Sequence, residues 1–361
     1  MPFKQRKQLA IASAHAAGLD ALLVTHLPDV RYLCGFTGSN AVLVLHKRRA
    51  VLFTDGRYTL QAKEEAAGTR VVLAKKSALR EACAWLEQDG AARCGFDAAQ
   101  TTVATLQVLR QAVSSRVRRS FFQPVAGLIA RQREVKDGNE LAQMRDAALL
   151  GCKLYEHILS FMAPGLSERA VAAELEYAAR LSGADGMSFE TIVAGGPRSA
   201  LPHGRATQAK LPRHGFVTLD FGVILNGYCS DMTRTVYMGK SSLEERTAYD
   251  AVLEAQEAAV AAVAPGVTCG DVDEAARSVL RRAGLDRLFT HSTGHGVGIE
   301  IHEGPRIAKG QLQKLEPGMV VTIEPGVYMA GKFGIRIEDM VLVTATGHQV
   351  LTLAPKAWTT L

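Results

Sequence analysis

No run of about 18 consecutive apolar residues occurs in this 361-residue chain, so no transmembrane helix is expected. No CxxC pair occurs either. The six cysteines (Cys34, Cys83, Cys94, Cys152, Cys229 and Cys269) lie far apart, which argues against a disulfide framework and a zinc knuckle and fits reduced thiols in the cytoplasm. A dense basic tract is also missing. The net charge is +6, but Lys and Arg are scattered and the tightest cluster, Arg116, Arg118 and Arg119, is short. That pattern reads as a solvated basic surface, with neither nucleic acid nor membrane as partner. The N-terminal KQRKQLAIASAHAAG imitates a secretory signal, yet His15 and Asp20 break its apolar run and strand-like ALLVT follows directly. It reads as an amphipathic first helix.

What is present is an ordinary globular composition, 47% hydrophobic and 22% charged, in a chain long enough for two cores. From residue 1 to about 120, β-rich runs (ALLVT at 21, AVLVL at 41, AVLFT at 50, RVVL at 70) alternate with helical patterns near 4–17, 57–67, 77–88 and 101–112. This predicts a compact α/β domain. Segment 116–134 holds the basic cluster, Pro124 and Gly127 without clear periodicity and is the linker candidate. The expected domains are 1–122 and 123–361.

The second part carries an internal repeat. MAPGLSERAVAAELEYAARLSGAD at 162–185 aligns without gaps on VAPGVTCGDVDEAARSVLRRAGLD at 263–286, an offset of 101. In each copy a helix ends before Ala-Pro-Gly, Ser167 or Thr268 caps the next one, and Gly183 or Gly284 stops it. Asp137 with Glu140, and Ser242 with Glu245, have the spacing of capping boxes for the preceding helices.

Each copy then places an acid inside an apolar strand: VTLDFG at 217–222 and VTIEPG at 321–326, 104 positions apart. Alternation sets Val217, Leu219 and Phe221 on one face and Thr218, Asp220 and Gly222 on the other. Asn226-Gly227 signals a two-residue hairpin, pairing Leu225 with Tyr228 and Gly222 with Asp231, so Asp231 shares a face with Asp220. In the second copy, pairing Gly326 with Glu338 around an AGKFG loop (330–334) sets Glu324 diagonal to Glu338. Four carboxylates converging in a partly buried site repel one another unless cations neutralise them. Singly, each acid could instead pair with Arg234 or Arg336; an acid pair at matched positions in both copies favours metal.

A nitrogen ligand is available in THSTGHGVGIEIHEGP (290–305), where His291, His295 and His302 sit among Gly294, Gly296 and Gly298. Glycines there allow close approach of backbone to an ion or substrate. One His with four carboxylates suits manganese, cobalt or iron, with zinc still open.

The set VTLDFGVILNGYCSDMTRT, HSTGHGVGIEIHEGP, VTIEPGVY and GIRIEDMVLVT resembles the pita-bread metallopeptidases, in particular their Xaa-Pro aminopeptidase and Xaa-Pro dipeptidase (prolidase) branch. YLCGFTGSNAVLVL and LFTDGRYTLQA resemble that branch's creatinase-type N-terminal domain. The resemblance implies an α+β protein: a creatinase-type α/β domain, then a pita-bread catalytic domain of two pseudo-symmetric halves. It implies two divalent ions per subunit, manganese first with cobalt or zinc as alternatives. Asp220 would bind one ion, Asp231 and Glu338 bridge both, and His295 and Glu324 hold the other. It further implies that His203 and His302 contact the substrate carbonyl or intermediate, that Glu324 shuttles a proton, that Arg336 supports a ligand, and that His291 lines the pocket. The expected activity is hydrolysis of the Xaa-Pro bond in proline-containing dipeptides or short peptides by a cytoplasmic homodimer. The alternatives are a non-catalytic relative or a metal-free, creatinase-like amidinohydrolase on the same fold.

Overall fold

The computed structural model describes all 361 residues, in two compact units, Met1–Arg133 and Glu134–Leu361. In the first unit one six-stranded sheet runs in the order Arg70–Leu73, Arg49–Thr54, Ala41–His46, Ala21–Val24, Cys94–Asp97, Phe122–Val125. The four β-rich runs of the sequence are its first four strands. The linker candidate is not a linker. Phe122–Val125 pairs in parallel with Cys94–Asp97, and Phe121 and Phe122 are buried against each other at 4.9 Å. The unit extends to Arg133, whose Nη1 donates to Asp29 Oδ1 at 2.7 Å with both side chains buried. A boundary after residue 122 would cut through this sheet. The N-terminal helix, Phe3–Ala16, buries Arg6, Lys7, Ala10 and Ala14, so its inner face is small and basic rather than aliphatic.

The second unit realises the repeat closely. Helices Glu168–Leu181 and Cys269–Arg282 keep the offset of 101 at both ends. Ser167 accepts from Ala170 N and Thr268 from Asp271 N with matching backbone angles, satisfying amide donors that a helix start leaves open. The helices before them, Gly138–Phe161 and Leu243–Ala262, both begin with complete capping boxes.

Each half has its own core. Tyr155, Ile158, Val171 and Leu175 pack on Val217, Leu219, Phe221 and Val236 in the first. Val252, Ala259, Val272 and Leu280 pack on Val321, Ile323 and Val341 in the second. Burying the Val, Leu, Ile and Phe side chains among them contributes about 1.5–3 kcal/mol each. Alternation gives the acid-bearing strand Gly215–Phe221 one apolar and one polar face, yet all seven residues are buried. The second half also meets this strand: Phe333 packs 5.3 Å from Phe216 and Arg336 pairs with Asp220, while in the neighbouring strand Met232–Met238 Thr233 O accepts from Glu338 N at 3.1 Å and Thr235 Oγ1 donates to Arg336 O at 2.9 Å.

Candidate metal centre

The first hairpin has the predicted register: Leu225 faces Tyr228, and Asp220 faces Thr233 in the same count. Asn226 (φ 49°) and Gly227 (φ 74°) are both left-handed, the two-residue turn that an Asn-Gly pair favours. Asp231 therefore lies diagonal to Asp220.

The second register differs from the sequence reading by two residues. Gly326 pairs with Arg336 rather than Glu338, and Ile323 with Asp339, so the count places Glu324 directly opposite Glu338. The AGKFG loop shrinks to Ala330-Gly331-Lys332 because Phe333 enters the strand, pairs with Met329 and is buried 5.3 Å from Phe216. Core burial of an aromatic ring outweighs a longer loop. Both acids still reach the centre.

All nine predicted residues, Asp220, Asp231, Glu324, Glu338, His203, His291, His295, His302 and Arg336, line one cavity of about 630 Å³. Ligand atoms of Asp231, His295 and Glu338 lie within 4.8 Å of one another. His295 Nε2 is 3.6 Å from Asp231 Oδ2 and 3.6 Å from Glu324 Oε1. Its Nδ1 is 3.0 Å from Gly296 O; a carbonyl only accepts, so the ring proton sits on Nδ1 and the Nε2 lone pair faces the acids. Burial holds the His295 pKa down to about 4, keeping the ring neutral near pH 7.

The carboxylates show the opposite shift. Burial, then the charge of Asp220, pushes Glu338 up to about 8. Burial, then Glu338, raises Asp231 and Glu324 well above the usual range. These acids crowd one another with too little positive charge nearby. Asp220 adds a second sign: its Oδ2 is held by Arg336, while its buried Oδ1 has no hydrogen-bond partner. Buried polar atoms are rarely left so. An unpartnered carboxylate oxygen, three further acids and a neutral imidazole make a donor set that fits divalent cations.

The two arginines separate clearly. Arg234 is a structural ion pair, donating to Asp339 Oδ1 at 2.7 Å and to four carbonyls. Arg336 belongs to the site, holding Asp220, Thr233 Oγ1 (3.1 Å), Pro202 O (3.1 Å) and Tyr328 OH (2.6 Å). Tyr328, which the sequence reading passed over, spends its own proton on His291 Nε2 at 2.8 Å. His291 Nδ1 donates to Ser292 O at 2.8 Å, and burial together with Arg336 holds its pKa at about 4. His302 packs edge-on to His295 at 4.4 Å.

The glycines around His295 are required by the packing of the protein itself. A Cβ on Gly294 would lie 1.8 Å from Thr322 O, and one on Gly296 1.9 Å from Gly304 O. Arg306 and Phe189 also line the cavity and were not singled out from sequence; an acid-rich wall gave no pattern that marks an isolated cation.

Fold and site together define a two-domain metallopeptidase. Residues 142–345 match the model of metallopeptidase family M24, and residues 6–135 match the creatinase/prolidase N-terminal domain. The chain belongs to metallopeptidase family M24. It is 40% identical to an uncharacterized peptidase of Bacillus subtilis over 94% of this chain and 95% of that one. Among solved structures, the Xaa-Pro dipeptidase from Bacillus anthracis superposes with TM-score 0.96 at 38% identity, covering 100% of both chains. The X-Pro aminopeptidase from Thermotoga maritima superposes with TM-score 0.89 at 33% identity, covering 97% of this chain and 100% of that one. No helix is long and apolar enough to cross a membrane.

Proposed function

We propose that the chain is a dinuclear metal-dependent peptidase that hydrolyses the bond between an N-terminal residue and proline, in dipeptides foremost. The observation that carries this reading is the convergence of four acids and a neutral imidazole in one cavity, in a chain whose solved neighbours are named as Xaa-Pro peptidases. Asp220, Asp231, His295, Glu324 and Glu338 would hold two divalent ions. When bound, such ions supply an acidified water and a Lewis-acid contact for the scissile carbonyl.

The remaining steps fall to side chains. His302 and His203 donate to the carbonyl oxygen as charge develops on it. Glu324 takes the proton of the attacking water and passes it to the leaving nitrogen. That nitrogen belongs to a tertiary amide without N–H, so it departs only when protonated. Arg336 fixes Asp220 Oδ2 and leaves Oδ1 for an ion. Arg306, an exposed guanidinium on the cavity wall, suits the C-terminal carboxylate of a dipeptide, which favours dipeptidase over aminopeptidase action. The oxygen-rich donors favour manganese as the working ion, six buried free thiols suit the cytoplasm, and a homodimer follows from the family resemblance.

The test is proline release from an Xaa-Pro dipeptide and an Xaa-Pro-Xaa tripeptide by chelated protein resupplied with manganese. Arg306→Gln is expected to raise the dipeptide KM roughly 10- to 100-fold, the loss of one charge-assisted contact, and to leave the tripeptide nearly unchanged. No activity above that of an Asp231→Asn control overturns the proposal.

A further inference from the structure

His203 sits at the tip of a long excursion, and what holds that excursion is a buried carboxylate outside the cavity. Glu168 is the first residue of helix Glu168–Leu181, is 0% exposed, and does not line the site. Its Oε1 accepts from Gly195 N and Arg198 Nε, both at 3.0 Å. Its Oε2 accepts from Thr207 N (3.0 Å), Thr207 Oγ1 (2.8 Å) and again Arg198 Nε (3.0 Å). Gly195 and Thr207 are the two ends of the segment that carries His203, so one carboxylate ties both ends, beside the backbone bond from Arg169 N to Thr207 O at 2.9 Å and the bridge between Ile192 and Arg205. Arg198 extends the clasp by donating from Nη2 to Arg205 O at 2.8 Å. The apex is tied separately to the metal centre, where Arg336 Nη1 donates to Pro202 O.

We infer that Glu168, with Arg198 and Thr207, is a positioning residue that sets where His203 meets the substrate. The inference rests on the role given to His203 above. A buried carboxylate at a helix N-terminus is favoured electrostatically, and charge-assisted bonds are about twice as strong as neutral ones. The clasp therefore fixes the loop more firmly than its turns would. In Glu168→Gln one oxygen becomes an NH2 group facing donors, and the loop loses its side-chain clasp while its backbone ties and the helix remain.

The experiment is a double-mutant cycle on Xaa-Pro dipeptide hydrolysis by the manganese-loaded protein, with manganese affinity measured in parallel. Glu168→Gln is expected to lower kcat about 10- to 100-fold, the scale of a misplacement near 1 Å, with manganese affinity unchanged. In the His203→Ala background the same substitution is expected to cost less than about threefold, because residues acting through one another are not additive. Should Glu168→Gln not fold, Thr207→Val reports the same loss and Thr207→Ser restores it. An equal loss in both backgrounds, a loss of manganese affinity or an unchanged kcat overturns the positioning role. If His203→Ala alone leaves kcat intact, the role of His203 falls first and the inference with it, whereas activity in the parent protein still supports the peptidase reading.

Discussion

Adding manganese to the chelated protein at pH 7 should expel protons, and the acid cluster sets how many. Glu338, held at about 8 by burial and by Asp220, is about nine-tenths protonated at pH 7. Asp231 and Glu324 are raised as well. His295, lowered to about 4, has no proton to lose. Metal ligands must be deprotonated, so binding releases at least about one proton per chain at pH 7, with the number falling as pH passes 8. Titration calorimetry in buffers of different ionisation enthalpy measures this directly. Stability is linked to the same groups. A folded pKa above the unfolded value stabilises the metal-free protein fully below about pH 4.5 and is lost as pH rises to about 8. Moving one carboxyl from 4.5 to about 8 corresponds to on the order of 5 kcal/mol, at about 1.4 kcal/mol per pH unit. The metal-free protein should thus lose thermal stability between pH 5 and 8 while the manganese-loaded protein does not, since bound cations remove the repulsion. Stoichiometric binding at pH 7 with heats independent of the buffer would refute the reasoning.

Two further outcomes follow from the packing. Gly294→Ala places a Cβ 1.8 Å from the backbone oxygen of Thr322, an atom that cannot swing aside, so the strand bearing His295 must shift; the expected result is a soluble protein with strongly reduced manganese affinity by calorimetry, or no soluble protein at all. Arg234→Met leaves the fully buried Asp339 with only Lys356 and Gln256 as side-chain partners, which should cost about 3–5 kcal/mol by thermal unfolding while manganese stoichiometry is retained.

The acid pairs were legible because strand alternation and the Asn-Gly turn are local rules: Asp220 and Asp231 follow from counting back along one hairpin. The second register was misread because its turn lacks such a signature, and what fixes it is distant, the burial of Phe333 against Phe216. The strand Phe122–Val125 was missed for a related reason. FQPV contains a proline, which demotes a strand reading, yet it pairs in parallel at the sheet edge, where a missing donor is tolerated. Glu168 bonds to Gly195 and Thr207, 27 and 39 residues away, and Tyr328 to His291, 37 residues away, so no spacing marks them. Helix ends, by contrast, are written in a few residues, and the capping boxes at Asp137 and Ser242 formed as read.

The repeat also explains why the centre cannot be symmetric. Gly195 faces Val217 in the first half as Gly296 faces Val321 in the second, which makes Ala194 the counterpart of His295. Ala194 is buried with 1% of its surface exposed, so one half supplies a nitrogen where the other supplies a methyl group. The duplicated hairpins deliver carboxylates in pairs, whereas the imidazole comes from one side alone. On the proposed reading one ion then sits among oxygens beside Asp220 while the other gains His295, and their affinities differ. Arg336 sharpens the difference, because its guanidinium pairs directly with Asp220, whereas it acts on the other acids only through its field. The half that lacks a histidine is therefore also the half whose acid is partly neutralised, so on that reading an ion held beside Asp220 would be the weaker bound.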